Sequence, residues 1–374
     1  MLTAYKNELK PFAELAQSFA VKELANNIQN HDRHPFGEFF FPVLDRARDA
    51  GFLGIMLPDN AGGSGGSISA LCVILENICK VDAAMGGIIF TNALSQQILL
   101  TAGIHGLASL IFSEASSTRD FLVAFPAYIH PAQEDKLPQA APSETDYTIS
   151  GALDMLVLGG LARQAVIPAR SAGYPGFSFF LVDMDQEGMA KKGPVFSLGL
   201  HACPCVDIAM HGVKATLLGT EGSGEKYFEK ISGAMHAAAA AMNTGIMKGA
   251  FEDALTYAQE RFQGGRKIIS WSEVSMILAN MLIKKDAAQL CLVQACQNLE
   301  QGALHSDRYC ISAALHIHEL ACDVVTDGIQ VLGGYGYMKD YGQEKRYRDA
   351  HQVRALLGAA PLKKIAALRK FAAQ

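Results

Sequence analysis

The period of the hydrophobic pattern changes twice along this chain of 374 residues, and this limits the folds open to it. In the first third, apolar residues recur at three- and four-residue spacing, as in residues 71–78, which is typical of helices with one buried face. Short runs rich in β-branched and aromatic residues follow, and the helical period returns from about Glu225. The sequence therefore predicts a helical domain over residues 1–118, a β domain over 119–220 and a second helical domain over 221–374.

Charge and cysteine content argue against several classes of partner. The net charge of -5 and the pI near 6.1 provide no general basic field for nucleic acid or an anionic membrane surface. Eight scattered cysteines, and an N-terminus without a basic and then apolar build, indicate reduced thiols and a cytoplasmic location. The most apolar stretches are rich in alanine and glycine and contain polar residues, so we expect helix packing and no membrane span. Cys203 and Cys205 lack a second pair at zinc-finger spacing, and no metal site is predicted.

Three motifs follow one another along the chain. Residues 330–350 read QVLGGYGYMKDYGQEKRYRDA, which contains a glutamine, a GGxGY turn, a tyrosine and an arginine–aspartate pair. Residues 57–67 carry a proline, an acidic residue and a glycine cluster before a helical stretch, and residues 254–268 lead from a helix into a turn at Arg261. In content and order these motifs resemble the acyl-CoA dehydrogenase family over nearly the whole chain.

The resemblance implies a fold and an activity. The fold is of the α+β class, with an N-terminal all-α domain, a middle β-barrel domain and a C-terminal four-helix bundle. The cofactor is FAD and the substrate is an acyl-CoA thioester. A carboxylate removes the α-proton while the β-hydrogen leaves as hydride to the flavin, which is α,β-dehydrogenation. The resemblance also implies a tetramer and an electron-transferring flavoprotein as the electron acceptor.

The glutamate that usually acts as the base in this family is missing. The resemblance places it about eight residues after the arginine–aspartate pair, in a Tyr-Glu-Gly-Thr tetrad, and here residues 356–359 read Leu-Leu-Gly-Ala. The side chain of Leu357 cannot accept a proton. Its backbone N–H remains, and the resemblance assigns that group to the thioester carbonyl, together with a flavin ribityl hydroxyl. Leu357 is therefore a candidate site residue through its main chain.

A second base position is used by some members of the family, at the start of the long helix of the C-terminal domain. Alignment through Gly245 places Met235 or its neighbour His236 there. Methionine cannot act as a base, so His236 is the candidate at this position. A lone histidine on a helix is more often a packing or hydrogen-bonded residue.

Of the residues that the resemblance places around FAD, some are present in this chain and others are replaced. On the flavin-facing side, Thr-Glu-Pro and Ala-Gly-Ser-Asp are replaced by FPAYIHPAQEDK at residues 125–136, and Trp-Ile-Thr aligns with Met155, Leu156 and Val157. On the side that the family donates to the FAD of a neighbouring subunit, Gly264 and Ser272 replace an aromatic residue and a glutamine. The matching residues on that side are Arg261, Gln330, Gly333 and Gly334.

Three interpretations of this asymmetry stay open. The chain can be a non-catalytic partner that completes another chain's FAD site in a hetero-tetramer with a paralogous subunit, because arginine and glycine amides suit phosphate oxygens. Alternatively, main-chain amides compensate for the lost side chains, and a homo-tetramer binds its own FAD. A third interpretation keeps FAD but performs an elimination or oxygenation on an acyl-CoA-type substrate without a carboxylate base.

A basic run closes the chain. Residues 363–370 read KKIAALRK, which is typical of the end of an amphipathic helix. We expect its lysines to face solvent and to interact favourably with the helix dipole.

Overall fold

The computed structural model describes residues 2–37, 40–133, 136–143 and 146–372, with helices on either side of a β-sheet. The N-terminal helices are α1 (Leu2–Phe19), α2 (Ile28–His31), α3 (Phe41–Asp49), α4 (Ile68–Cys79), α5 (Ala83–Thr101), α6 (His105–Ser113) and α7 (Thr118–Phe121). Side-chain caps fix where α4 and α5 begin, because Ser67 and Asp82 each accept a hydrogen bond from an N–H of the first turn.

Helix α5 lies in the core of the N-terminal region. Among the described residues it is the one helix long and apolar enough to cross a membrane by length and composition, and 89% of its apolar window is buried inside the protein. A helix that is apolar on all sides needs such surroundings. Its residues pack against α4, α8 and the first strand of the sheet.

The middle region is a seven-stranded sheet. Its strands are β1 (Val123–Ala124), β2 (Gln139–Pro142), β3 (Tyr147–Val157), β4 (Gln164–Ser171), β5 (Ser178–Asp183), β6 (Met189–Pro194) and β7 (Cys205–Leu218). Strand β4 pairs with β2 and β5, β2 pairs with β3, and β7 joins β3 to β5. This path returns to its starting strand, so the sheet closes into the predicted barrel.

The C-terminal region is again helical. It contains α8 (Gly224–Glu260), α9 (Ser272–Glu300), α10 (Ser306–Leu332), α11 (Gln343–Arg354) and α12 (Ala360–Ala372), with a short hairpin of β8 (Phe262–Gln263) and β9 (Arg266–Lys267) between α8 and α9. Helix α8 approaches α4 closely, because a Cβ atom on Gly245 would lie 2.2 Å from the backbone oxygen of Glu76. The predicted order of helices, barrel and helices is confirmed. The domain limits at residues 118 and 220 stay a prediction.

Buried charges join α11 to the other two regions. The Nζ atom of Lys345 donates to Asp82 Oδ1 at 2.9 Å and to Asp349 Oδ2 at 2.6 Å, and Asp349 Oδ1 accepts the N–H of Leu200 at 2.8 Å. Burial raises the pKa of Asp349, although the Lys345 ammonium opposes this. The three groups connect an N-terminal helix cap, the loop before β7 and α11, and they fix the position from which the chain continues towards Leu357.

A second ion pair lies beside this junction. Arg348 donates to Asp32 Oδ2 at 2.6 Å, and His201 Nδ1 lies 3.0 Å from Asp32 Oδ1. Burial alone would raise the pKa of Asp32, but hydrogen bonds from His201 and Arg348 hold it well below the usual range. The arginine and the aspartate of the Arg348–Asp349 motif are therefore both used to fasten the regions to one another.

Candidate flavin and thioester site

Four of the predicted cofactor residues line one cleft, which we call the Arg261 cleft. Arg261 follows the end of α8, Gln330 lies in the last turn of α10, and Gly333 and Gly334 form the 3₁₀ turn after it. The cavity has a volume of about 450 Å³. Gly333 has a φ of +59° and its missing side chain would meet no atom within 4 Å, so its backbone is open to the cleft. The structure thus brings together the residues that the resemblance assigns to a neighbour's FAD.

Arg261 brings a guanidinium group to the lining of this cleft. Its Nε atom is buried and has no hydrogen-bond partner among the described residues. The guanidinium carbon lies 5.5 Å from the ring centroid of Tyr335, which orients the group by a cation–π contact. A guanidinium group beside open glycine backbone suits a phosphate oxygen. These residues therefore fit the pyrophosphate of a dinucleotide.

Aromatic rings form the neighbouring wall. Tyr335 and Tyr341 have ring centroids 4.9 Å apart, and Tyr257 lies 6.3 Å from Tyr335 and 6.1 Å from Tyr341. Tyr257 and Tyr335 also line the Arg261 cleft. Aromatic faces bind planar heterocycles by stacking. The cleft thus offers surfaces for both a phosphate and a ring.

Leu357, the candidate thioester donor, is buried inside the protein. It follows the end of α11, is 1% exposed and has a left-handed backbone with a φ of +62°, which costs about 1–2 kcal/mol for a residue with a side chain. Its N–H donates to the carbonyl oxygen of Ala127 at 2.7 Å. The N–H that the resemblance assigns to a thioester is thus bonded within the chain, and its role as a thioester donor stays a prediction.

The flavin-facing strand is also engaged within the chain. The N–H of Val157 donates to the oxygen of Phe125 at 3.0 Å, and the N–H of Phe125 donates to the oxygen of Val157 at 3.1 Å. Both side chains are buried, and the Phe125 ring lies 6.0 Å from Phe179 and 6.4 Å from Phe228. Within residues 125–136, positions 134 and 135 lie outside the described residues. The strand edges that the resemblance assigns to the flavin are therefore paired with each other.

Met155 occupies an irregular point of β3. Its φ is +55°, at a shift in the register between β3 and β7, and its N–H donates to Asp207 Oδ1 at 3.0 Å. The structure places Met155 and Val157 on one strand as predicted, but both use their N–H groups within the chain. The N–H of Leu357 is likewise bonded within the chain, to the carbonyl oxygen of Ala127 at 2.7 Å. The main-chain N–H groups that the resemblance assigns to flavin and thioester are thus bonded within the chain, whereas the residues of the Arg261 cleft fit a pyrophosphate.

The candidate base His236 lies in the first half of α8, more than three turns from its start. Its side chain is buried, within a helical stretch where residues 237–241 are all buried alanines. His236 interacts with neighbouring groups of the protein. Its assignment as a base stays a prediction.

One buried charged residue beside Leu357 was not predicted from the sequence. Lys363 was expected to face solvent, but it is 3% exposed and its Nζ atom donates to the backbone oxygens of Leu356 at 2.6 Å and Arg354 at 3.1 Å. The expectation was wrong because α12 folds back onto α10 and turns Lys363 inward. The adjacent Lys364 does face outward, where it pairs with Glu319.

Comparison with known proteins identifies the family. The profile described as "Acyl-CoA dehydrogenase, C-terminal domain" matches residues 222–364, and the corresponding N-terminal domain profile matches residues 6–106. This chain belongs to the acyl-CoA dehydrogenase family. Members of the acyl-CoA dehydrogenase family are flavoproteins. The predicted family and fold are confirmed.

Relatives of this acyl-CoA dehydrogenase family member are similar over most of their length. It is 28% identical over 356 residues to the caffeyl-CoA reductase–Etf complex subunit CarC of Acetobacterium woodii, which covers 92% of this chain and 93% of that protein. It is 28% identical over 365 residues to the 3-(aryl)acrylate reductase of Clostridium sporogenes, covering 94% and 95%. The structure of butyryl-CoA dehydrogenase from Megasphaera elsdenii has a TM-score of 0.87 at 22% identity, with 97% of each chain covered. The chain is an oxidoreductase of the acyl-CoA dehydrogenase class.

Proposed function

We propose that this acyl-CoA dehydrogenase family member acts as one subunit of a hetero-oligomeric acyl-CoA oxidoreductase. In that assembly its Arg261 cleft completes the FAD site of a neighbouring paralogous subunit, and the neighbour supplies the carboxylate base. The contrast between the two halves of the site supports this role. Arg261 and the open backbone of Gly333 line the cleft, whereas Leu357 and Ala127 are hydrogen-bonded to each other at 2.7 Å.

The residues of this chain have separable tasks in the proposed site. FAD, when bound, accepts the hydrogen that the substrate loses as hydride. Arg261 binds the pyrophosphate by charge-assisted hydrogen bonds. Gly333 and Gly334 let the backbone approach the phosphate oxygens, and Gln330 offers an amide from α10. Each task concerns binding and orientation, and none requires a proton acceptor in this chain.

The partners follow from the same role. The substrate is an acyl-CoA thioester bound in the catalytic neighbour, and the assembly is a tetramer located in the cytoplasm. An electron-transferring flavoprotein is the proposed acceptor. The A. woodii relative supports this, because its name describes it as a subunit of an Etf complex.

A second candidate function has one observation in its favour. The N–H of Leu357 already binds a carbonyl oxygen, that of Ala127, and a thioester carbonyl is a group of the same kind. If the Ala127 contact opens, the N–H of Leu357 can polarise a thioester, for an elimination in which water accepts the proton or an oxygenation in which dioxygen is the oxidant. An active homo-tetramer of this chain with FAD would favour this second function.

The Arg261→Ala variant tests the proposed role. In a complex co-expressed with a paralogous family subunit, we expect it to weaken FAD binding about 10- to 100-fold, because a hydrogen bond to a charged group is worth about 1.5–3 kcal/mol. Flavin absorbance during titration of the stripped complex with FAD measures this. The matched control is Arg46→Ala, which removes an exposed arginine paired with Glu23 in the N-terminal region and is expected to leave FAD binding unchanged. Equal FAD affinity for the Arg261→Ala complex and the wild type would contradict the proposed role.

A further inference from the structure

Lys363 stabilises the end of α11. The last carbonyl groups of a helix have no partner within it and need one from outside. Lys363 provides this from α12, because its Nζ atom donates to the backbone oxygens of Arg354 and Leu356. A positive charge at the C-terminus of a helix is also favoured by the helix dipole. The buried ammonium thus fixes the short segment that leads to Leu357.

The same peptide unit carries two charge-sensitive contacts. The carbonyl of Leu356 accepts from the Lys363 ammonium at 2.6 Å, and the N–H of Leu357 donates to Ala127 at 2.7 Å. These two groups belong to one amide, so a cation on the oxygen withdraws electron density from the nitrogen. Hydrogen bonds arranged in series polarise one another in this way. The N–H of Leu357 is therefore a stronger donor while Lys363 is charged.

We propose that Lys363 is a positioning residue that orients and polarises peptide 356–357 as a carbonyl-binding group, and that the Ala127 carbonyl occupies this group in place of a thioester carbonyl. This inference rests on the proposed function, because a chain whose own thioester position is filled from within needs a catalytic partner. The role of Lys363 also explains why the Ala127 carbonyl fills the thioester position at Leu357. The peptide keeps its affinity for a carbonyl oxygen, and the barrel domain provides one.

The charges around Lys363 make this arrangement dependent on pH. Burial, and to a smaller extent the Arg354 guanidinium, lower the pKa of Lys363 to about 8. Arg354 on α11 and His318 on α10 are the charged and titratable groups that interact with it among the described residues. Burial lowers the pKa of His318 to about 3, so His318 is already neutral near pH 8. A titration of the peptide near pH 8 therefore reports on Lys363.

Selective isotope labelling makes the Leu357 amide observable in the full chain. The sequence contains three Leu-Leu pairs, at residues 99–100, 217–218 and 356–357. Leucine labelled with ¹³C at the carbonyl, combined with ¹⁵N-leucine, gives one carbonyl-coupled amide signal for each pair in a deuterated sample. The Leu100→Met and Leu217→Met variants each remove one of the other two signals. The remaining signal belongs to Leu357, and the other two serve as internal references.

In the wild type, we expect the Leu357 amide signal to shift between pH 6.5 and 9.5 with a midpoint near 8, by more than both reference signals. The shift should disappear in Lys363→Met. It should persist in Lys364→Met, which changes the adjacent, exposed lysine. Lys363→Arg keeps the charge throughout this range and should also abolish the titration. A wild-type Leu357 signal that does not titrate, or a titration that survives Lys363→Met, would overturn the inference.

The result is independent of the test of the proposed function. The wild-type titration needs neither FAD nor a partner, and it remains informative if Lys363→Met does not fold. An active FAD-containing homo-tetramer with a titrating Leu357 amide would overturn the proposed function and the occupation of the thioester position by Ala127, but not the polarising role of Lys363. A colourless chain whose Leu357 amide does not titrate would overturn the role of Lys363 alone.

Discussion

Replacing Lys345 with methionine is expected to lower the free energy of unfolding by about 3–5 kcal/mol, because it leaves two buried carboxylates without their counter-charge. Lys345 is buried, and it bonds both Asp82 and Asp349. Denaturant unfolding followed by circular dichroism measures the loss. The difference in the free energy of unfolding between the variant and the wild type should decrease as the pH falls. Burial raises the pKa of Asp349, so this carboxyl group becomes protonated and loses its unpaired charge.

The control for this variant is Lys364→Met. Lys364 also forms an ion pair, with Glu319, but both side chains are exposed. Exposed pairs contribute about 0–1 kcal/mol, so the control should unfold close to the wild type. If Lys345→Met were as stable as Lys364→Met, Lys345 would not hold the junction of the three regions.

Leu357→Glu is expected to disturb the fold without creating a dehydrogenase. The side chain is 1% exposed, and burial raises the pKa of a carboxyl group by about three units, which corresponds to about 4 kcal/mol at neutral pH. The N–H at this position remains bonded to Ala127, so the new carboxyl group has no open thioester site beside it. Thermal denaturation should show the loss of stability. Anaerobic mixing of the variant with FAD and acyl-CoA should show no bleaching of flavin absorbance.

Leu357→Met separates the effect of charge from the effect of shape. Methionine has a similar volume and no charge, and such an exchange costs less than about 1.5 kcal/mol in a protein core. We expect this variant to fold like the wild type and to be equally inactive alone. An isolated Leu357→Glu chain that reduces FAD with acyl-CoA would show that only the base is missing from this site.

The Arg261 cleft was predictable because its residues lie in two local motifs. Arg261 ends one long helix, and Gln330, Gly333 and Gly334 end another, so the helical period and the glycine turn together place them. Helices α8, α9 and α10 were predictable for the same reason, since their apolar periods extend over many turns. The helical period and the glycine turn can each be read from a short stretch of sequence.

The closed half of the site was not predictable. The bond between Leu357 and Ala127 joins main-chain groups of residues far apart in sequence, and side-chain identity contains no signal for it. The burial of Lys363 depends on how α12 packs on α10, whereas its residue type alone indicates exposure. The closure of the barrel through the parallel pairing of β2 with β4 is likewise a long-range feature.

The central test is the flavin content of this chain, measured alone and in complex with a catalytic paralogue. It shows whether this chain binds FAD by itself or only completes the FAD site of its neighbour. The absorbance of the released FAD, compared with the protein concentration, gives the number of FAD molecules per subunit. We expect a colourless chain when it is purified alone, even after incubation with FAD, and one FAD for every two subunits in the complex. One FAD per subunit in a preparation of this chain alone, reduced when an acyl-CoA is added, would contradict the account.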